Sequence, residues 1–306
     1  MTEPPAADPP PSLMDKLGAG LPVALTALST VFAGMSTGEL SRAMYWRSTA
    51  AQDQSKANDQ WSLAGFKRDR SLICETTAAT LRAQAGFRAP PVAVERTAEP
   101  EVVGRVREWM GSTEKAPKPP PTDDPAVQAV LQAIHHDAAE ADVLRLARRV
   151  DPAALERAVR GAAADALGVE ADWERERRHA RGEAENAAKA VNAKPPDPAA
   201  RAELVASATA AQAVVFDADD RRYRAEAAMN QWVGFLLEVR VKTSAVTSDR
   251  HRQRSENFFF AMLAAQVGAV GASLALARKR RSVLWALAAT AGVAAIGFGG
   301  YVYLTM

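Results

Sequence analysis

The sequence is short of several residue types. It has a single cysteine, Cys74, among 306 residues, which excludes an intramolecular disulfide and a metal site built from several thiolates. Its position in Leu72-Ile73-Cys74 is typical of a thiol buried as a small apolar residue. Aromatic residues make up only 6% of the chain, and the alternating β-branched pattern of strands is almost absent, whereas alanine is abundant. The sequence therefore predicts an all-α fold.

Excess charge and catalytic motifs are also missing. The chain has 38 Lys+Arg and 36 Asp+Glu, a balance too neutral to predict nucleic-acid binding. The neighbouring His135 and His136 would point about 100° apart on a helix, so they cannot ligate one metal from the same face. There is no phosphate-binding glycine loop and no Gly-x-Ser-x-Gly elbow. We expect a protein that is not an enzyme, with no cofactor, no metal site and no small-molecule substrate.

Long apolar runs are present at the C-terminus. Residues 258–277 and 282–306 are uncharged, and each is close to the ~20 residues that a helix needs to cross a ~30 Å hydrocarbon core. Between them lies a basic loop of Arg278, Lys279, Arg280 and Arg281. The pattern predicts two transmembrane helices joined as a hairpin. Charges inside a membrane usually mark an ion path, and their absence here predicts an anchor and not a transporter.

A third apolar run lies near the N-terminus. Residues 1–16 form a Pro-rich tail that we predict to be disordered, and residues 17–38 are uncharged after Lys16. This run could be a signal peptide, an interfacial or buried helix, or a first transmembrane helix. A signal peptide begins with a positively charged region, whereas this tail is acidic. We therefore interpret residues 17–38 as a transmembrane helix that partners the C-terminal hairpin.

The segments between these runs are predicted to be helical and separated by proline. Residues 39–89 contain no proline and predict a long stalk helix that ends before Pro90-Pro91. Residues 90–125 are a linker with a short helix at 101–110, and residues 126–193 are an Ala-rich helical region. Residues 194–257 predict a second stalk helix, with a kink at 243–248. Asp-Pro pairs at 124–125, 151–152 and 197–198 are typical helix starts.

The two stalk helices share a sequence feature. Ala-Asn-Asp-Gln-Trp ends at Trp61, and Ala-Met-Asn-Gln-Trp ends at Trp232. The shortest arrangement packs the stalk helices antiparallel, as a coiled coil, which would bring the two tryptophans to similar heights above the membrane. We therefore predict that Trp61 and Trp232 pack near one another.

Small residues recur at four-residue spacing in both arms of the hairpin. Such spacing lets two helix backbones approach closely in a membrane, so we predict that these residues form the packing contact between the arms. The residues are Ala264, Gly268, Ala272, Ala291, Ala295 and Gly299.

The Asn58-Asp59-Gln60-Trp61 helix, the apolar segment before it and the C-terminal hairpin split by a basic turn resemble an uncharacterised family of bacterial membrane proteins, known only as a domain of unknown function. The resemblance covers roughly residues 17–90 and 215–300, and the Pro- and Ala-rich middle departs from it as an enlarged insertion. The resemblance implies a bacterial membrane location and implies no activity. Together with the three apolar runs, it leads us to expect a multi-pass protein of the bacterial cytoplasmic membrane.

We therefore expect a membrane-anchored helical scaffold or interaction protein. Its expected partners are the lipid bilayer and either another protein or a second copy bound through the coiled-coil helices. A sensory or signal-relay protein and an accessory subunit of a transport complex are the alternatives. Orientation stays open, because the short basic loop favours one side of the membrane and the basic residues flanking the spans, such as Arg240 and Arg42, favour the other.

Overall fold

A computed structural model describes residues 13–86, 122–193, 197–277 and 283–305. These residues form six α-helices and no strand, which confirms the all-α prediction. The helices are α1 (Leu13–Gln84), α2 (Pro125–His135), α3 (Glu140–Ala147), α4 (Pro152–Asn192), α5 (Pro198–Ala277) and α6 (Val283–Thr305). The first twelve residues of the predicted tail, the short helix predicted at 101–110 and the basic loop at 278–281 lie outside the described residues.

The three Asp-Pro pairs start helices as expected. Asp124 accepts hydrogen bonds from the backbone N–H groups of Ala126 and Val127, at 2.8 and 2.9 Å, and proline occupies the first turn. Asp151 accepts hydrogen bonds from the backbone N–H groups of Ala153 and Ala154 at the start of α4, and Asp197 accepts one from Ala199 at the start of α5. Capping satisfies backbone donors that have no partner inside the helix, and the missing N–H of proline costs nothing there.

The end of α1 differs from the expected position. The helix ends at Gln84, before the two prolines, because Gly86 adopts a positive φ of 67° that suits glycine and terminates the helix. At its other end α1 begins at Leu13, inside the predicted tail. The predicted stalk and first apolar run therefore belong to one helix.

The chain divides into two compact units. Unit 1 comprises Met1–Thr49 and Ser244–Met306, and unit 2 comprises Ala50–Thr243. Helices α1 and α5 contribute to both units. The division within α5 falls at the Ser/Thr-rich stretch where we predicted a kink, and the helix is unbroken through it.

Unit 1 contains the three apolar stretches. Helices α1, α5 and α6 each include a segment long and apolar enough to cross a membrane, which agrees with the three predicted runs. Their contact is built from aromatic and small residues, and Phe32 stacks on Phe258 with ring centroids 6.4 Å apart. The cluster around this pair includes Ala261, Ala265, Ala295 and Val302.

Unit 2 is built around α5. From Ala225 to Val239 this helix is buried on nearly every side, as expected of a helix surrounded by others. Helix α1 runs antiparallel to it within the unit, since Trp61 contacts Glu238 and Arg82 contacts Asp217. Helix α4 packs through small residues against another part of α5. That cluster consists of Ala180, Ala184, Ala211, Val215 and Ala218.

Candidate functional site

The face that α1 buries repeats every seven residues with small side chains. In unit 2 the repeated positions of α1, none more than 5% exposed, are Ala57, Ala64, Ser71 and Ala78, and Ala85, one residue beyond the end of the helix, continues the spacing. In unit 1 Ser29, Ser36 and Ala43 have the same spacing, with Ser29 and Ala43 buried. A seven-residue repeat keeps one seam of a helix against its neighbour, and small residues on that seam allow a close approach. Sequence reasoning missed this repeat.

Trp61 joins α1 to the buried part of α5. Its indole Nε1 donates a hydrogen bond to Glu238 Oε1 at 2.8 Å, and its ring meets that of Phe235 edge-on at 4.9 Å. A Cβ atom added at Gly234 would lie 3.3 Å from the indole, so glycine makes room for the ring. Trp61 is half-buried, and Trp232, which lies two residues before this glycine, is buried. Trp61 therefore packs beside the segment of α5 that contains Trp232.

The partner of Trp61 is an acidic group in an apolar setting. Burial raises the pKa of the Glu238 carboxyl, and the Trp61 hydrogen bond and the nearby Lys242 oppose that rise. Lys242 also donates to Glu140 of α3 at 2.9 Å. This carboxyl is held by its neighbours within unit 2, and its part is to link α1 to α5.

A charged network lies where α1, α4 and α5 meet. Arg177 of α4 contacts Asp219 at 2.9 Å, and Arg222 of α5 lies 3.0 Å from Glu174 and 3.2 Å from Glu226. Glu226 also pairs with Lys67 of α1. The network contains three cations and three carboxylates, and each ion has an opposite charge beside it. Such mutual pairing offsets the cost of burying the charges and holds three helices in register.

Another carboxylate of unit 2 is buried and pairs with an arginine that is partly exposed. Asp53 is 1% exposed and lies 3.1 Å from Arg240, whose guanidinium also reaches Glu156 of α4 at 3.1 Å. Arg240 thus links three helices, α1, α4 and α5. Arg240, one of the basic residues that flank the apolar runs, therefore also has a packing role.

Cys74 and His135 make packing contacts, whereas His136 is exposed. Cys74 is buried, and burial together with the nearby Asp219 and Asp220 raises its thiol pKa. The rings of His135 and His136 lie 5.1 Å apart, and His135 also faces Phe235 at 6.5 Å. Within the described ranges no group of three or more His, Cys, Asp and Glu side chains is placed to hold a metal.

The predicted small residues of the hairpin lie at or near helix contacts. A Cβ at Gly268 would approach Leu25, Ala288 and Ala291 within 3.1–3.3 Å, and one at Gly299 would overlap Phe32. Ala272 and Ala295 are completely buried, and Ala264 is half-buried. Buried residues at the helix contacts of α5 and α6 are spaced alternately three and four residues apart. They are Phe258, Ala261, Ala265, Gly268, Ala272 and Ala275 of α5, and Ala288, Gly292, Ala295, Gly299 and Val302 of α6.

Polar contacts also join α1 to α5 in unit 1, and sequence reasoning missed them. Ser248 donates to the backbone carbonyl of Ala43 at 2.8 Å, and His251 Nδ1 lies 2.6 Å from Glu39 Oε2. Both contacts lie just beyond the apolar stretches, where charged residues begin. They fix the register of the two helices at the border between apolar and charged sequence.

The three helices with an apolar segment and the helical unit 2 define an all-α membrane protein. Comparisons with family models, with curated proteins and with solved structures find no match for this chain. The resemblance to an uncharacterised bacterial membrane family therefore stays a prediction.

Proposed function

We propose that this protein is a non-enzymatic, multi-pass scaffold of a bacterial cytoplasmic membrane that presents unit 2 for association with a second copy of itself. Several charged side chains of unit 2, including Arg177, Arg222 and Arg240, pair with carboxylates of other helices, which supports a structural role. The seven-residue repeat of small residues in α1 supports the predicted coiled-coil packing of α1 with α5.

One observation carries the association. Three large apolar side chains on one face of α1 are exposed, namely Leu63 (44%), Phe66 (66%) and Ile73 (63%). Their spacing of three and seven residues puts them within about 80° of one another around the helix, away from the buried seam. Arg70 lies within this arc, between Phe66 and Ile73 in the sequence, and its guanidinium carbon is 5.8 Å from the centroid of the Tyr223 ring. An exposed apolar patch of this kind is typical of a protein contact.

A second copy is the partner that anchoring favours. Copies held in one bilayer by the same three apolar helices have their α1 helices pointing the same way, so Phe66 of one copy lies level with Phe66 of the next. A two-fold axis along the membrane normal then makes the patch its own complement. Confinement to the membrane also raises the effective concentration of copies for one another.

Disulfide trapping in membranes tests this proposal. In a Cys74→Ala background, Phe66→Cys and Ile73→Cys are each oxidised in native membranes, and we expect a covalent dimer from both. Ala79→Cys is the matched control, since Ala79 is exposed on the same helix but lies about 140° away from Phe66. We expect no dimer from it.

Equal crosslinking at all three positions would indicate random collision, and none at residues 66 and 73 would remove the patch as a contact. Both outcomes contradict the proposal. A Phe66→Glu, Ile73→Glu double variant gives an independent readout, because two buried charges on the patch should convert the dimer to monomer in detergent without loss of helical signal.

A further inference from the structure

Unit 1 contains a cavity of about 310 Å³ formed by all three of its helices. Its apolar wall consists of Met35, Phe258 and Val302, and its polar wall consists of Glu39, Arg42 and Arg254. Helix α1 carries no charge from Leu17 to Gly38 and α5 carries none after Glu256, so the cavity lies where apolar sequence gives way to charged sequence. If these stretches cross a membrane, as proposed above, the cavity lies at the headgroup level.

The acidic residue of the polar wall is already engaged. Glu39 Oε1 accepts a hydrogen bond from Arg42 Nη1 at 3.0 Å, and Glu39 Oε2 lies 2.6 Å from His251 Nδ1. Both carboxylate oxygens therefore have a partner. Two arginines against one glutamate leave the wall with an excess of one positive charge.

Arg254 supplies the second observation. Its Nε atom is buried and has no hydrogen-bond partner among the described residues. A buried charged donor without a partner is costly, and an anion in the cavity would remove that cost. Arg42 is largely exposed, with a side chain 66% accessible, so its remaining N–H groups can reach the same anion.

The apolar wall selects among anions. A free phosphate would gain nothing from Met35, Phe258 and Val302, whereas a phospholipid can place its phosphate on the arginines and the upper part of an acyl chain on this wall. Tyr303, also lining the cavity and exposed, is the residue type that favours the membrane–water interface. The volume is at the small end for ligand pockets and suits a headgroup with the start of a chain.

We propose that unit 1 binds one anionic phospholipid, with its phosphate between Arg42 and Arg254 and its chain against Met35, Phe258 and Val302. This inference rests on the proposed membrane anchoring. The anchoring is tested separately by asking whether the protein leaves the membrane fraction only with detergent. Soluble protein would overturn the anchoring, whereas membrane-bound protein that fails the binding test below would overturn the lipid site alone.

The test uses the full-length chain in detergent, titrated with phosphatidylglycerol and followed by native mass spectrometry. We expect one lipid per chain at saturation. Arg254→Gln should weaken binding about tenfold, the order expected for one charge-assisted hydrogen bond. Arg252→Gln is the matched control, because Arg252 lies on the same helix, is exposed and pairs with Glu256 at 2.9 Å. We expect its affinity to be unchanged.

Further arms separate this site from other sources of binding. Glycerol 3-phosphate and phosphatidylcholine should each bind more weakly than phosphatidylglycerol, since the first lacks chains and the second lacks net charge. Equal loss of affinity in Arg254→Gln and in the control Arg252→Gln would indicate general attraction of the lipid to the charged surface and would overturn the site. Equal binding of the soluble phosphate would overturn the lipid assignment. If Arg254→Gln fails to fold, Arg42→Gln decides instead, and unchanged affinity in it contradicts the proposal.

Discussion

Ser36 and Ser255 bond to each other reciprocally. The Ser36 hydroxyl donates to the backbone carbonyl of Ser255 at 2.9 Å, and the Ser255 hydroxyl donates to the carbonyl of Ser36 at 2.8 Å. Each serine thus bonds the backbone of the other helix, which is unusual for a hydroxyl inside a helix. The pair fixes the level at which α1 and α5 meet within unit 1.

Replacing either serine should destabilise the protein. We expect Ser36→Ala and Ser255→Ala each to cost about 0.5–1.5 kcal/mol of unfolding free energy, and the double variant to cost less than the two together because the two bonds share one contact. Unfolding in detergent, followed by circular dichroism, measures all three. Thr37→Ala is the control, since that hydroxyl bonds only to Ala33 of its own helix. Additive costs would show that the two bonds are independent.

Gly299 is predicted to tolerate no larger residue. A Cβ there overlaps the Phe32 ring, so Gly299→Ala must displace an aromatic ring that is itself stacked on Phe258. We expect a loss of about 1–3 kcal/mol, the usual cost of overpacking. Gly300 has nothing within 4 Å of its Cβ position, so Gly300→Ala is the matched control and should be neutral or slightly stabilising.

A second variant identifies the cause of that loss. Phe32→Leu removes the ring atoms that the new methyl group would meet, so combining it with Gly299→Ala should cost less than the two single changes together. The melting temperatures of the four proteins make this comparison. Strict additivity would contradict the overlap.

Stability should depend on pH through Glu238. Its carboxyl pKa is raised in the folded protein by burial. Such a group favours folding when it is protonated, so its contribution is full below about pH 4.3, the pKa of an unfolded glutamate, and is lost as pH rises through the raised folded value. We expect Glu238→Gln to raise the melting temperature at pH 8, with a gain that shrinks toward pH 4.

Glu140 is the control for this prediction, because its carboxyl pKa is shifted in the opposite direction. The pKa of Glu140 is lowered by the hydrogen bond from Lys242, so its contribution is present above the unfolded pKa and is lost as pH falls. Glu140→Gln should therefore bring no gain at pH 8. A melting temperature for Glu238→Gln that shifts equally at every pH would contradict a role for ionisation.

Much of the fold was accessible from sequence because strong local signals determine it. Asp-Pro pairs start α2, α4 and α5. The proline-free stretches predicted as stalk helices, residues 39–89 and the chain after Pro198, lie largely in α1 and α5. The three apolar runs correspond to three helices of sufficient length. Helix ends were less accurate, as α1 stops near Gly86 and not at the prolines, because a left-handed glycine ended it first.

The packing seam of α1 was missed for a physical reason. Hydrophobic periodicity is sought among large apolar residues, whereas the repeated positions of α1 are alanine and serine, and polar residues such as Asp53 and Lys67 alternate with them. A search for small residues at seven-residue spacing would have found the seam. The ion pairs that bury Asp53 and Arg222, and the cavity in unit 1, require side chains from separate helices, so no local pattern could predict them.

The alanine seam of α1 also changes which substitutions are expected to be harmful. In a leucine-rich core the harmful change is truncation, because it leaves a void. Ala57, Ala64 and Ala78 have almost nothing to truncate, so a change to glycine costs only backbone freedom, while any gain of volume must push the two backbones apart. Damage to this protein should therefore come from additions, and a sequence-wide survey of substitutions would find α1 most intolerant where its side chains are smallest.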